Sequence, residues 1–201
     1  IVRYADEFIV LCTDKDKAQR TMYAMTDWIE HRLKLCIAET STGVVNLKRK
    51  CFEFMGFRIK LTEKGGKYVV RSGMSDEAIK YTKQRLKELI KEIEHNPNKT
   101  RLYKAIKAYN MRVVDTHDYF RFATHCCDDF HSIQHYVNTL IKNRLEISKS
   151  GSIADKTLAK RYGDSGQLRY VAGSAIVPVG FCKSKRPMCK KNNVDPYSDQ
   201  D

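Results

Sequence analysis

No apolar run in this chain approaches the ~20 residues that a membrane-spanning helix requires, which excludes that mode of membrane attachment and leaves membrane out of the expected partners. Acidic residues are missing altogether between Asp164 and Asp195, where Arg169, Lys183, Lys185, Arg186, Lys190 and Lys191 accumulate. No second pair of ligands stands at zinc spacing from the THCCDD stretch at 124–129, and Cys182 to Cys189 is too long an interval for a zinc knuckle, so structural zinc is not expected. No internal repeat is present, which argues against a solenoid. The cysteines number seven, an odd count, and several lie in apolar patterns; reduced, buried thiols in a cytosolic protein are the expectation.

What the chain does have is positive charge. Lys and Arg total 37 against 24 Asp and Glu, a formal charge of +13 over 201 residues. That imbalance, concentrated toward the C-terminus, points to a polyanionic partner, and its unevenness favours nucleic acid over a uniformly solvated basic surface.

The chain opens with IVRYADEFIVLC. Two runs of strand formers flank Ala5, Asp6 and Glu7, which predicts a tight hairpin with acids at its apex. Asp14 then caps a helix with Ala18, Met22, Met25, Ile29 and Leu33 on one stripe. LKLCI at 33–37 and GVVNL at 43–47 predict short strands. In CFEFMGFRIKL the alternation places Phe52, Phe54, Ile59 and Leu61 on buried sides, and Gly65-Gly66 turns the chain into YVVRS. From Met74 the texture is helical. Ser75 caps a helix with Ile79, Leu86, Leu89, Ile90 and Ile93 on its stripe. NPNK at 96–99 breaks it. A second helix carries Leu102, Ile106 and Tyr109, a third covers Val113 to Ala123, and a last one is capped by Asp128 or Asp129 and carries Phe130, Ile133, Val137, Leu140 and Ile141. Beyond Glu146 periodic apolar positions thin out. The expectation is an α+β fold in three parts: an α+β layer over 1–72, a helical bundle over 73–146, and a basic, partly extended segment over 147–201.

Adjacent carboxylates on a turn are common, since Asp is itself a turn residue. The chemistry-bearing alternative is a magnesium site, because Mg²⁺ takes one or two carboxylates together with substrate phosphates, and a hairpin holds its apex rigidly.

YADE at 4–7 resembles the aromatic-x-Asp-Asp box of reverse transcriptases, and FEFMGF at 52–57 resembles that family's primer-grip hairpin at the expected distance. Residues 107–145 resemble the maturase (thumb) domain of bacterial group II intron reverse transcriptases through Tyr109-Asn110, His117, Tyr119-Phe120, Ala123-Thr124-His125, Asp129-Phe130 and Asn143-Arg144-Leu145. The stretches RYVAGSAIVPVGFCKSKRPMCKK and VDPYS continue the likeness.

The resemblance implies the C-terminal part of a reverse-transcriptase palm followed by an all-α thumb, in an RNA-directed DNA polymerase of a mobile element. Such a protein binds its intron RNA, assists splicing and copies RNA from a DNA primer at a target site in the bacterial cytoplasm. Asp6 and Glu7 would be catalytic metal ligands for Mg²⁺, and Tyr4 would lie near the primer terminus. Met55, Gly56 and Phe57 would position the primer; for Phe54 a core role is the better expectation. Lys183, Lys185, Arg186, Lys190 and Lys191 are candidate phosphate contacts. His117 and His125 are expected to pack and hydrogen-bond. A further Asp and the dNTP-binding fingers would lie upstream, so this stretch alone is expected not to polymerise. The family pattern has Asp at the position of Glu7, a Lys near Ser41-Thr42, and Gly at the position of Asp115. These departures leave open an alternative: a splicing maturase that binds RNA and has lost polymerisation.

Overall fold

The structure is a computed structural model and describes residues 1–38, 42–96, 98–182 and 184–185. It is α+β, with five α-helices and three small antiparallel sheets among the described residues. The chain divides into two units after Val70.

In the first unit, β1 (Val2–Tyr4) and β2 (Glu7–Ile9) form a two-stranded hairpin. Helix α1 (Lys15–Asp27) follows, capped by the Asp14 carboxylate, which accepts the Lys17 N–H at 2.8 Å. One turn of π-helix, Trp28–Arg32, continues it. β3 (Phe52–Phe54), β4 (Phe57–Lys64) and β5 (Lys67–Met74) make a three-stranded sheet whose last strand runs across the boundary into the second unit. Met55-Gly56 and Gly65-Gly66 join these strands as two-residue loops with both φ angles positive, the hairpin geometry whose twist matches that of the strands. The stretches 33–37 and 43–47, expected as strands, are irregular. A short apolar run becomes a strand only with a partner to take its backbone hydrogen bonds, and neither stretch belongs to a ladder. None of the described residues of this unit is buried: Phe52, Phe54, Ile59 and Leu61 are half-covered, while Val2, Leu11, Tyr23 and Trp28 are more than half exposed.

The second unit holds the core. Helix α2 (Asp76–Glu94) is capped by Ser75, whose hydroxyl accepts from Ala78 N at 3.1 Å. Helix α3 (Lys99–Phe120) is capped by Asn98. Two helices were expected over its length, but neither Gly nor Pro interrupts it. Its buried stripe continues through Ala105, Ile106, Tyr109, Asn110, Val113, His117 and Phe120. The polar members Asn110 and His117 disguise an unbroken period. Helix α4 (Cys127–Arg144) packs on α2 and buries Phe130, Ile133, Val137 and Ile141, with the Phe130 ring 4.8 Å from that of His117 on α3.

Residues 147–182, expected as an extended segment, are folded. β6 (Ile147–Ser148), β7 (Arg169–Val171) and β8 (Ser174–Ile176) form a third sheet, with α5 (Lys156–Tyr162) and a 3-10 turn between the first two strands. Val171, Ala175, Ile176, Val177 and Val179 are buried. Their consecutive spacing reads as neither a helix nor an alternating strand because most of the run is covered on both sides.

Neither Asp128 nor Asp129 caps α4. The Asp129 carboxylate instead accepts the Met74 N–H at 2.8 Å. Nearby, Ser72 N–H donates to Thr124 Oγ1 at 2.8 Å and His125 N–H donates to Ser72 O at 2.8 Å, so the end of β5 is fastened to the start of α4. Gly73 sits inside this clamp; a Cβ there would lie 2.7 Å from Asp129 Oδ2 and 3.3 Å from His125 O. Gly73→Ala should therefore destabilise the second unit by about 1–3 kcal/mol through overpacking, read as a lower urea midpoint. An unchanged midpoint would show that Asp129 gives way freely.

Candidate metal and nucleic-acid site

The β1–β2 register pairs Val2 with Ile9, Arg3 with Phe8 and Tyr4 with Glu7. The turn is Ala5-Asp6, with Ala5 at φ 52°. The Arg3 guanidinium braces it by donating from Nε to Ala5 O at 2.7 Å. Asp6 thus occupies the apex, whereas Glu7 is the first residue of β2 and sits opposite Tyr4. All three side chains are exposed. Successive strand residues face opposite sides, so Tyr4 and Glu7 share one face with Val2 and Ile9.

Hard carboxylate oxygens suit Mg²⁺, so Asp6 and Glu7 have the donor chemistry such an ion takes. They supply two ligands. Among the described residues no group of three His, Cys, Asp or Glu converges on a common point. A magnesium ion at this hairpin would draw the rest of its shell from substrate phosphates and from carboxylates outside the described residues.

The second predicted element, Met55-Gly56-Phe57, lies on the β3–β4 hairpin, where Phe54 pairs with Phe57 and Phe52 with Ile59. These four side chains share a face and are half-buried. Gly56, at φ 75°, is demanded by the turn itself, independently of any ligand. The two hairpins belong to separate sheets. Of the predicted phosphate contacts, Lys185 is exposed and its backbone N–H donates to Arg121 O at 2.6 Å. Lys183, Arg186, Lys190 and Lys191, and also Ser41, lie outside the described residues.

The tyrosines of the second unit separate clearly. Tyr109 is fully buried and cannot meet a base, whereas Tyr103 and Tyr119 are nearly half exposed and Tyr136 is partly so. The described cysteines are all free, and only Cys126 and Cys182 are buried; burial holds both thiols up, that of Cys182 at about 12. Both are therefore neutral packing groups at physiological pH.

The polar centre of this unit is His117, with no exposed surface. Its Nε2 lies 2.6 Å from Val179 O and its Nδ1 lies 2.7 Å from the Tyr162 hydroxyl. A carbonyl can only accept, so Nε2 carries the proton and Nδ1 accepts from Tyr162. Two turns earlier on the same face of α3, Asn110 Nδ2 donates to Ala175 O at 2.8 Å and its Oδ1 accepts the Val177 N–H at 2.9 Å. Asn110 thus gives β8 and its continuation the bonds of an edge partner. The sequence singled out both residues, but not the strand they hold, because that partner lies more than sixty positions away.

A scan against protein-family models finds no match, and searches of curated proteins and of solved structures find none either.

Burial lowers the His117 pKa to about 4, from an ordinary 6.5. The folded state keeps this ring neutral while the unfolded chain takes up a proton as pH falls below 6.5. Stability is therefore lost as pH falls from 6.5 toward 4, at roughly 1 kcal/mol per pH unit. Asp14, Glu88 and Asp118, held below their ordinary values of 3.8 to 4.5, act at lower pH. Urea midpoints should decline between pH 6.5 and 4.5, and His117→Gln should flatten that decline while lowering stability overall. An equal decline in the variant would assign it to another group.

Proposed function

We propose that this chain is part of a group II intron-type RNA-directed DNA polymerase, with residues 1–72 contributing the C-terminal palm and residues 73–146 the thumb. In the intact protein the activity would be reverse transcription of intron RNA from a DNA primer, alongside RNA binding that assists splicing. The observation that carries this reading is the hairpin with Tyr4 opposite Glu7 and Asp6 at its apex. It is supported by a second hairpin with Met55-Gly56 at its turn and by the basic helical unit that follows.

In this reading Asp6 and Glu7 hold Mg²⁺, which when bound supplies Lewis acidity to activate the primer 3′-hydroxyl and to neutralise the leaving pyrophosphate. The chain's own part is positional. The paired strands and the Arg3 brace fix the apex, and Tyr4, on the same face as Glu7, offers a flat surface beside a primer terminus. Phe57 and the Met55-Gly56 turn align the primer strand. That none of the described residues of the first unit is buried supports a palm completed by further protein, from which another carboxylate and the dNTP site would come.

The alternative, a splicing maturase without polymerase activity, draws support from Glu7. Its carboxylate reaches one methylene beyond that of an Asp, and displacement of a catalytic group by ~1 Å commonly costs ~10²-fold in rate. In the intact protein, Asp6→Ala should abolish primer extension and leave RNA affinity within about twofold. Glu7→Asp should raise extension about tenfold or more. Extension that survives Asp6→Ala would refute the metal role. Absence of extension in both the natural protein and Glu7→Asp would favour the maturase.

A further inference from the structure

We infer that the groove between α2 and α4 is a track for single-stranded RNA, in which four lysines of α2 hold phosphates and Tyr136 stacks on an unpaired base. The inference rests on the nucleic-acid reading above and assigns it to a particular face, distinct from the C-terminal lysines.

Lys80, Lys83, Lys87 and Lys91 fall within an arc of about 80° on α2 and span about 16 Å along it. The arc flanks the buried stripe of Leu86, Ile90 and Ile93, so it borders the packing seam. None of the four lysines takes part in an ion pair among the described residues. Two acids of α2 have other partners. Glu88 accepts from Arg85 at 2.9 Å and from Gln84 at 2.9 Å, and Glu94 accepts from Arg144 at 2.8 Å. Neither of these two acids forms an ion pair with the stripe.

Across the seam α4 presents Ser132, His135, Tyr136, Thr139 and Leu140 on one face, and with Lys83 these line an open groove of about 450 Å³. Lys83 Nζ donates to Ser132 Oγ at 3.1 Å and lies 5.8 Å from the centre of the Tyr136 ring. A positive rail beside an aromatic floor is the arrangement that proteins use for unpaired nucleic acid. A duplex keeps its bases stacked inside and has no use for Tyr136 or Leu140. Ser132 Oγ accepts from Lys83 and keeps its proton to donate, and Thr139 Oγ1 donates to His135 O at 3.1 Å and can still accept; both suit ribose 2′-hydroxyls, which favours RNA over DNA.

The test measures fluorescence anisotropy of the 201-residue chain with a twelve-nucleotide unstructured RNA, the blunt RNA duplex and the matching single-stranded DNA, over a range of salt. Replacing Lys80, Lys83, Lys87 and Lys91 by Gln should weaken single-strand binding at least about tenfold and reduce the salt slope by about 3, at ~0.7 per phosphate contact. The same charge removed from α3, in Lys99, Arg101, Lys104 and Lys107→Gln, should cost clearly less. Tyr136→Ala should weaken single-strand binding about fivefold or more and leave the duplex within about twofold. The exposed or half-exposed lysines should be replaceable without change in the urea midpoint, so lost binding is not lost folding. RNA binding that persists in the lysine variant, or falls equally in the α3 variant, overturns the groove while leaving the polymerase reading standing. Equal affinity for DNA overturns the choice of RNA. Failure of the natural chain to bind any of the three probes counts against both.

Discussion

The second unit depends on two polar side chains placed seven residues apart on one face of α3. Asn110 and His117 are both buried, and a buried polar group without a partner costs free energy on the order of 1–3 kcal/mol. Here each has both of its hydrogen-bonding ends occupied, by Ala175 and Val177 in one case and by Tyr162 and Val179 in the other. The residues after β8 therefore have a single register on α3. From that register follow the burial of Val177 and Val179, the seating of α5 through Tyr162, and the approach of Cys182 to the start of α4, where its carbonyl accepts from the Cys127 thiol. What looks like a C-terminal tail is, as far as Cys182, part of the core.

The first unit is built on the opposite principle. It has well-formed local structure and, among its described residues, none that is buried. Its hairpins are closed by two-residue loops and its helix by a side-chain cap, all of them short-range devices. Its apolar side chains remain at least partly exposed. Local devices of this kind set geometry cheaply, yet a two-stranded hairpin is marginal without something to pack on. A site at such an apex gains its precision from whatever covers the sheet. The helical unit, with its own core, has no such dependence, and the RNA-binding role proposed for it does not require the first unit.

The legible features in the sequence were those determined by near neighbours. The hairpin at Asp6, the caps at Asp14 and Ser75 and the stripe of α2 each depend on residues within a few positions. The features that escaped depend on distant partners or on mixed chemistry. The runs at 33–37 and 43–47 are apolar but have no ladder to join. Asn110 interrupts the apolar period of α3 between Tyr109 and Val113, where one helix read as two. Asp128 and Asp129 fall inside the first turn of α4, past its cap position at Cys126, and Asp129 serves Met74, 55 positions away. The lysine stripe of α2 was present in the spacing of four residues, but its meaning required the aromatic face of α4 beside it.

The two units differ in kind: one is cohesive through α3, and the described residues of the other form no core. Native-state hydrogen exchange on the 201-residue chain tests this difference most directly. The Val177 amide, donating to Asn110, should exchange only by global opening of the second unit, as slowly as the slowest amides of α2 and α4. The amides of β1, β2 and α1 should exchange orders of magnitude faster. Rapid exchange at Val177, or protection of β1 and β2 equal to that of α2, would contradict the account.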